Sequence, residues 1–164
     1  MPYSPHVRPI SLAELEIVRD LALQIWPKCY RRIIAPDHID SMASALFDVD
    51  TLEEDMSQRG HVYWVVNVGH IDVGFICAHQ DGAQVWITKL YVLSDYRGFG
   101  LGKVLIAAAQ DHFAAQHLSV CVHKEHETAV DFCLRSGFEI DHEIPFSLGT
   151  YGFTDYVMHK DVRI

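Results

Sequence analysis

The sequence predicts an α/β protein in which helices flank a central mixed, mostly antiparallel sheet of about six to seven strands. Three features lead to this prediction. Amphipathic helical segments open the chain, strand-like segments with tight turns follow, and a strand, a long helix and another strand come next. Because strands joined by one crossover helix are usually parallel and adjacent, we expect the strands around the long helix to pair in parallel.

The composition favours a single globular domain over residues 1–164, since 49% of the 164 residues are hydrophobic. No apolar run approaches the ~18 residues of a membrane span, and the N-terminus lacks the features of a signal peptide. The four cysteines show no CxxC spacing, so reduced thiols and a cytoplasmic location are expected. The formal net charge of -9 argues against nucleic-acid binding, which depends on Lys and Arg.

The first third of the chain predicts one short strand and three helices, at residues 6–10, 11–26, 38–47 and 51–59. Ser11 and Glu14 have the spacing of a capping box at the first helix, and Thr51 and Glu54 repeat that spacing at the third. Pro27 is expected to stop the first helix, because proline lacks the backbone N–H that a helix interior needs.

The rest of the chain predicts a three-strand meander, a long helix, a strand, another helix and two closing strands. These elements cover residues 61–68, 70–79, 83–93, 101–116, 118–123, 126–137, 138–146 and 153–160. Gly69 and the pair Asp81–Gly82 supply the turn signals inside the meander.

Three glycines, Gly98, Gly100 and Gly102, alternate directly before the long helix. A helix N-terminus presents free N–H groups and the positive end of the dipole, and glycines let the backbone approach an anion closely. A phosphate group is therefore the expected ligand. The P-loop motif is excluded because Val104 follows Lys103 where Ser or Thr is needed, and the Rossmann glycine spacing is not met either.

The pattern Arg97-x-x-Gly100-x-Gly102, placed after LYVLSDY, resembles the pyrophosphate motif of the GCN5-related N-acetyltransferases (GNAT). The order of elements follows that family from end to end, and AVDFCLRSGFE at 129–139 is similar to the family's Ala-x-x-Phe-Tyr-x-x-x-Gly-Phe segment. The resemblance implies a GNAT fold whose parallel central strands splay apart to hold acetyl-CoA. It also implies an N-acetyltransferase in which a primary amine attacks the acetyl group directly.

The resemblance further implies which residues hold the cofactor. The pyrophosphate would lie on the N–H groups of Gly98, Phe99, Gly100, Leu101, Gly102 and Lys103. The pantetheine arm would pair like an extra strand with the backbone of Leu90, Tyr91 and Val92, and one of these N–H groups would polarise the thioester carbonyl. Arg97 and Lys103 would add positive charge.

Three positions depart from the family pattern. His126 replaces a frequent Asn, and is either a helix-start residue with a local hydrogen bond or a cofactor contact. Cys133 replaces a frequent Tyr, the general acid toward the leaving thiolate, and is either that acid or a packed apolar side chain. Thr88 replaces a frequent acidic residue. His123 could relay protons, so Cys133 and His123 are the catalytic candidates.

His123 and His126 also stand close together in the segment HKEH, which raises the question of a metal site. The spacing fits no standard zinc motif and the sequence offers no evident third ligand, so no metal is expected.

The resemblance places the acceptor between the two helices after the first strand and the last strands. Seven carboxylates lie in that helical region without any Lys or Arg among them: Asp37, Asp40, Asp48, Asp50, Glu53, Glu54 and Asp55. They form either a solvated helix face or a cluster that attracts a cationic amine. The segment 25–42 resembles bacterial members related to spermidine/spermine acetyltransferases, which makes a polyamine one candidate acceptor.

The expected partner is a small-molecule amine, with no nucleic acid and no membrane, and a homodimer stays open. Two alternative functions also stay open. One is acetylation of a protein N-terminus or lysine. The other is a non-catalytic acyl-CoA sensor, which the missing Tyr and acidic residue would suit.

Overall fold

The computed structural model describes residues 4–148 and 151–162, which form a seven-stranded sheet with helices on both faces. The strands are β1 (His6–Pro9), β2 (Val62–Val68), β3 (Ile71–Asp81), β4 (Gln84–Val92), β5 (His117–His123), β6 (Glu139–Leu148) and β7 (Tyr151–Asp161). The helices are α1 (Leu15–Tyr30), α2 (Pro36–Leu46), α3 (Val49–Gln58), α4 (Leu101–Phe113) and α5 (Glu127–Arg135). Within these ranges no helix has both the length and the hydropathy needed to cross a bilayer.

The sheet has the order β1-β2-β3-β4-β5-β7-β6. β4 and β5 run parallel, and the other described pairs are antiparallel. This confirms the mixed, mostly antiparallel sheet and the parallel pair around the long helix. β6 lies at the edge of the sheet, and the chain then reverses direction so that β7 inserts between β5 and β6.

Central strands are buried on both faces, as their continuous apolar sequences require. In β2, Trp64 and Val66 pack in the core beneath α4, whereas Tyr63 and Val65 pack in the core beneath α1, α2 and α3. Two hydrophobic cores therefore hold the sheet, and the helices of each core reach the ends of β4 and β5 from opposite sides.

The first helix has the predicted length of 16 residues but begins and ends four residues later than predicted. α1 continues through Pro27 to Tyr30, so the prediction that Pro27 stops the helix is wrong. Proline removes one backbone hydrogen bond from a helix interior. Trp26 and Tyr30 flank it and are only 5% and 7% exposed, and burying two large aromatic side chains offsets that loss.

The third helix begins earlier than predicted, at Val49, because Asp48 caps it. The Asp48 carboxylate accepts hydrogen bonds from the backbone N–H and the hydroxyl of Thr51, each at 3.2 Å. The predicted capping box between Thr51 and Glu54 is therefore wrong. The box at Ser11 is confirmed, since its backbone N–H donates to the Glu14 carboxylate over 3.1 Å, and it caps a short 3-10 turn, Leu12–Glu14, that leads into α1.

Candidate active site

A cleft opens where β4 and β5 separate. The two strands pair from Gln84 with His117 as far as Ile87 with Val120. Directly after this point the register between β4 and β3 shifts by one residue, so no residue of β3 lies opposite Thr88 in the strand ladder. Such a bulge bends a strand and changes the direction of its remaining residues. The result is a cavity of about 430 Å³, which we call the β4–β5 cleft.

The backbone of β4 turns hydrogen-bonding groups toward this cleft. The N–H of Leu93 donates to β3 at 2.8 Å, and alternate residues of a strand face the same neighbour. Tyr91 therefore also faces β3, whereas the N–H and C=O groups of Leu90 and Val92 face the cleft. Consistent with this, the carbonyl of Val92 accepts a hydrogen bond from Arg97 Nε at 3.4 Å.

The glycine turn forms one end of the cleft. Gly98 and Gly100 have φ angles of +86° and +78°, which L-residues with side chains rarely adopt, and Gly100 directly precedes α4. A Cβ on either glycine would meet no atom within 4 Å, so the space beside them is open. Gly102 has another role, because a Cβ there would lie 2.7 Å from Cζ of Phe132 in α5. Phe99, in contrast, is 51% exposed.

Two basic residues, Arg97 and Lys103, line the cleft beside these glycines, together with Leu101 of the first turn of α4. Arg97 Nη2 also donates to the Cys29 thiol at 2.9 Å, so it links the glycine turn to the end of α1. Backbone N–H groups at a helix N-terminus and two cations at one end of a cleft form a site for an anion.

His126 and Cys133 line the same cleft. His126 is the residue before α5, and its side chain makes no capping hydrogen bond. Burial, with the nearby Arg97 and His123, lowers the pKa of His126 to about 4, so its ring is neutral at pH 7. Cys133 is 5% exposed, and burial raises the pKa of its thiol to about 11.

His123 stands at the end of β5 and faces the inside of the molecule. Its Nδ1 accepts the backbone N–H of Glu125 at 3.1 Å, so a neutral His123 carries its proton on Nε2. Nε2 is buried and has no hydrogen-bond partner within the described part of the chain. In this form His123 offers a hydrogen-bond donor.

A second, smaller cavity of about 110 Å³ adjoins the cleft on the side of α1 and α2, and we call it the aromatic cavity. It is lined by Trp26, Tyr30, Ile34, Met42, Leu46, Tyr91, Cys121, His123, Phe146, Phe153 and Asp155. Four of these, Tyr30, Tyr91, Cys121 and His123, also line the β4–β5 cleft. The two cavities therefore meet at these four side chains, which we call the junction.

Tyr30 and Asp155 are absent from the residues that the sequence predicted. The Tyr30 and Tyr91 hydroxyls lie 3.2 Å apart, so one donates to the other at the junction. Burial raises the pKa of Tyr91 to about 12 and that of Tyr30 well above its usual value. Asp155 lies directly opposite His123 in the ladder between β5 and β7. Only the strand pairing, which local sequence does not encode, brings Asp155 here.

The acidic helical region contributes less to these cavities than its charge suggested. Asp48 caps α3, and Arg59 pairs with Asp55 at 2.9 Å and with Glu54 at 3.3 Å. None of the seven carboxylates lines either cavity. The carboxylate that does line the aromatic cavity is that of Asp155.

Among the described residues, His123 and His126 of the segment HKEH are not part of a cluster of possible metal ligands. A different set of side chains forms such a cluster. His117, His159 and Asp161 bring possible ligand atoms within 4.8 Å of one another, at the opposite end of β5 from His123. The two rings already pair with the Asp161 carboxylate, at 2.7 and 3.0 Å.

Known proteins share this sequence pattern and this fold. The chain matches the profile of the acetyltransferase (GNAT) family over residues 18–138. It is 28% identical over 149 residues to an uncharacterised N-acetyltransferase of Mycobacterium bovis, and the match covers 87% of this chain and 94% of that protein. It is 21% identical over 164 residues to spermidine N(1)-acetyltransferase of Thermoplasma acidophilum, with coverage of 96% and 97%.

A solved structure with a similar fold is PaiA N-acetyltransferase from Thermoplasma acidophilum in complex with coenzyme A. The TM-score is 0.82 at 20% sequence identity, and the match covers 97% of this chain and 99% of that chain.

Proposed function

The chain belongs to the acetyltransferase (GNAT) family, and on this premise we propose that it transfers the acetyl group of acetyl-CoA to a primary amine. The observation that carries the proposal is the β4–β5 cleft, which ends at the N-terminus of α4 and meets the aromatic cavity at the junction. A long acetyl donor with phosphate groups at one end suits the β4–β5 cleft, and an amine acceptor suits the aromatic cavity.

The residues of the cleft fit coenzyme A by the chemistry they offer. The N–H groups at the start of α4, with Arg97 and Lys103, would hold the pyrophosphate. The backbone groups of Leu90 and Val92 would pair with the amides of the pantetheine arm, as an added strand pairs with a sheet edge. This leaves the thioester near the junction.

Acetyl-CoA supplies an acetyl group that is already activated as a thioester. A backbone N–H of β4 would polarise its carbonyl, and the Tyr30–Tyr91 pair and His123 Nε2 provide proton donors at the junction. The departing thiol has a pKa near ~8.5, so it leaves with little help at neutral pH. Cys133 is therefore assigned to packing rather than to acid catalysis.

For the acceptor we propose a cationic small molecule such as a polyamine. The similarity to a spermidine N(1)-acetyltransferase supports this class, although the identity is only 21%. The net charge of -9 also favours a cationic partner, because opposite charge raises the local concentration of such a molecule near the protein.

The test is a screen of the purified protein with acetyl-CoA and a panel of spermidine, spermine, diamines, amino sugars and peptides with free N-termini. Free thiol is followed with time, and the acetylated amine is identified by mass spectrometry. The expected result is thiol release that depends on a small cationic amine. Acetylation of peptides alone would move the assignment to a protein acetyltransferase. Binding of acetyl-CoA without thiol release from any amine would make the protein a sensor.

A further inference from the structure

An unpaired carboxylate lies in the wall of the aromatic cavity. Asp155 is half-buried in β7, and burial raises its pKa because the ionised carboxylate loses hydration. Among the described residues no hydrogen bond or ion pair engages its side chain, and only the nearby His123 opposes this effect. A bound cation would stabilise such a carboxylate more than any group the cavity itself supplies.

The rest of the cavity wall suits an alkylammonium ion. Five aromatic side chains contribute to the wall: Trp26, Tyr30, Tyr91, Phe146 and Phe153. Aromatic faces attract cations, and their apolar surface accepts the methylene groups beside the charge. No Lys or Arg is among the described residues that line this cavity, so its wall supplies no permanently charged cation.

The size of the cavity limits what can enter it. About 110 Å³ is roughly a quarter of the 430 Å³ of the β4–β5 cleft. A short alkyl arm that ends in an amino group therefore suits the aromatic cavity better than a bulky ring does.

The position of Asp155 relative to the junction decides which amino group it meets. Tyr30, Tyr91, Cys121 and His123 line both cavities, so the reacting nitrogen must reach the acetyl group among them. Asp155 lines the aromatic cavity but not the cleft, and therefore lies on the side of the junction away from the cleft. A charge held there belongs to another part of the acceptor.

We propose that the aromatic cavity binds a second, non-reacting ammonium group of the acceptor, with Asp155 as its counter-ion. This inference rests on the proposed function and specifies its substrate class, namely diamines and polyamines with a short arm between two amino groups. Four titratable side chains face the carboxylate, Tyr30 from α1, Tyr91 from β4 and Cys121 and His123 from β5, and none of them is a fixed cation. Asp155 acts on specificity and not on the acetyl transfer itself.

The test compares diaminopropane with butylamine, in which a methyl group replaces the second amino group. The wild type should show a KM for diaminopropane at least about tenfold below that for butylamine. Asp155→Asn should abolish this preference while kcat for both amines and the KM for acetyl-CoA stay within about twofold. Asp155→Glu, which keeps the charge, should retain part of the preference. An unchanged preference in Asp155→Asn would overturn the proposal.

Asp50→Asn is the matched control, because it removes one exposed carboxylate that lines neither cavity. It should keep the preference for diaminopropane. An equal loss in both variants would show a long-range effect of net charge and would contradict a local role of Asp155.

A binding measurement separates this inference from the proposed function. Diaminopropane is titrated by calorimetry into the wild type and Asp155→Asn, each loaded with coenzyme A. Binding that disappears in Asp155→Asn supports the inference even if no amine is acetylated. An absence of binding to the wild type overturns it, while thiol release with other amines would still support acetyl transfer.

Discussion

Cys133 occupies the position where the sequence allowed either a general acid or a packed side chain. The structure places it in the cleft wall, 5% exposed, with a thiol pKa raised by burial to about 11. The thiol is neutral at pH 7, which both roles require, so the decision rests on energetics. A leaving thiolate needs little protonation, and a general acid would contribute little here.

We therefore expect Cys133→Ala to lower kcat by less than about tenfold, or ~1.4 kcal/mol of activation free energy. Steady-state kinetics at pH 6 to 9 measures this, with circular dichroism as the control for folding. Both proteins should show kcat/KM rising with pH, because the free amine is the attacking species. A loss of a hundredfold or more in a folded variant would assign chemistry to the thiol.

His126 gives a prediction about acid stability. Burial, Arg97 and His123 together lower its pKa from 6.5 to about 4. The unfolded chain takes up this proton below about pH 6.5 and the folded chain only near pH 4, so stability falls as pH drops through this window. His126→Gln, which cannot titrate, should lose less stability between pH 7 and pH 4 than the wild type. Urea unfolding at several pH values tests this, and parallel losses in the two proteins would refute it.

At the scale of residues, Asp155 shows why the sequence could predict only part of the candidate site. The anion end is a local motif, in which Arg97, Gly98, Gly100 and Gly102 stand within six positions of one another. Asp155 faces His123 only because β7 inserts beside β5, a contact over more than 30 positions. Such pairing depends on the whole sheet, and no local pattern marks it.

At the scale of elements, the sequence predicted the presence of each helix better than the residues at which it begins and ends. Pro27 should stop α1, but the burial of Trp26 and Tyr30 carries the helix one turn further and puts Tyr30 at the junction. For α3 a different local signal was missed, since the helix starts at its Asp48 cap and not at Thr51. Local signals compete with tertiary packing, and packing prevails where large aromatic side chains are involved.

The contact between α4 and α5 gives a testable prediction at this scale. Gly102→Ala should destabilise the protein by about 1–3 kcal/mol, because its Cβ would lie 2.7 Å from the Phe132 ring. In Phe132→Leu, whose side chain is shorter, the same substitution should be neutral or stabilising, since alanine favours helices. A double-mutant cycle by urea unfolding measures the coupling. Additive effects would mean that the ring moves aside at no cost.

At the scale of the whole molecule, the order of elements predicted the sheet and its parallel pair, and the bulge at Thr88 explains the separation of β4 from β5. Two cores, one on each face, hold the parts of the site. The core of α4 and α5 builds the end that suits phosphate, and the core of α1 to α3 contributes Tyr30 and the aromatic cavity. We therefore propose that donor and acceptor reach the junction from opposite faces of one sheet.

The central claim is that coenzyme A lies in the β4–β5 cleft with its pyrophosphate at the start of α4. Gly100 tests it most directly, because its φ of +78° is one that Asn and Asp tolerate better than other side chains, and the space beside it is open. Gly100→Asn and Gly100→Asp have the same shape and differ by one negative charge. Calorimetry of both variants with coenzyme A, after thermal unfolding has shown that they are equally stable, isolates the effect of that charge.

We expect Gly100→Asn to weaken coenzyme A binding by about tenfold at most, and Gly100→Asp to weaken it by at least a further hundredfold or so, because like charges then meet at close range. Higher salt should narrow the difference between the two variants. Equal affinities in Gly100→Asn and Gly100→Asp would contradict the claim, since no phosphate could then lie at the N-terminus of α4.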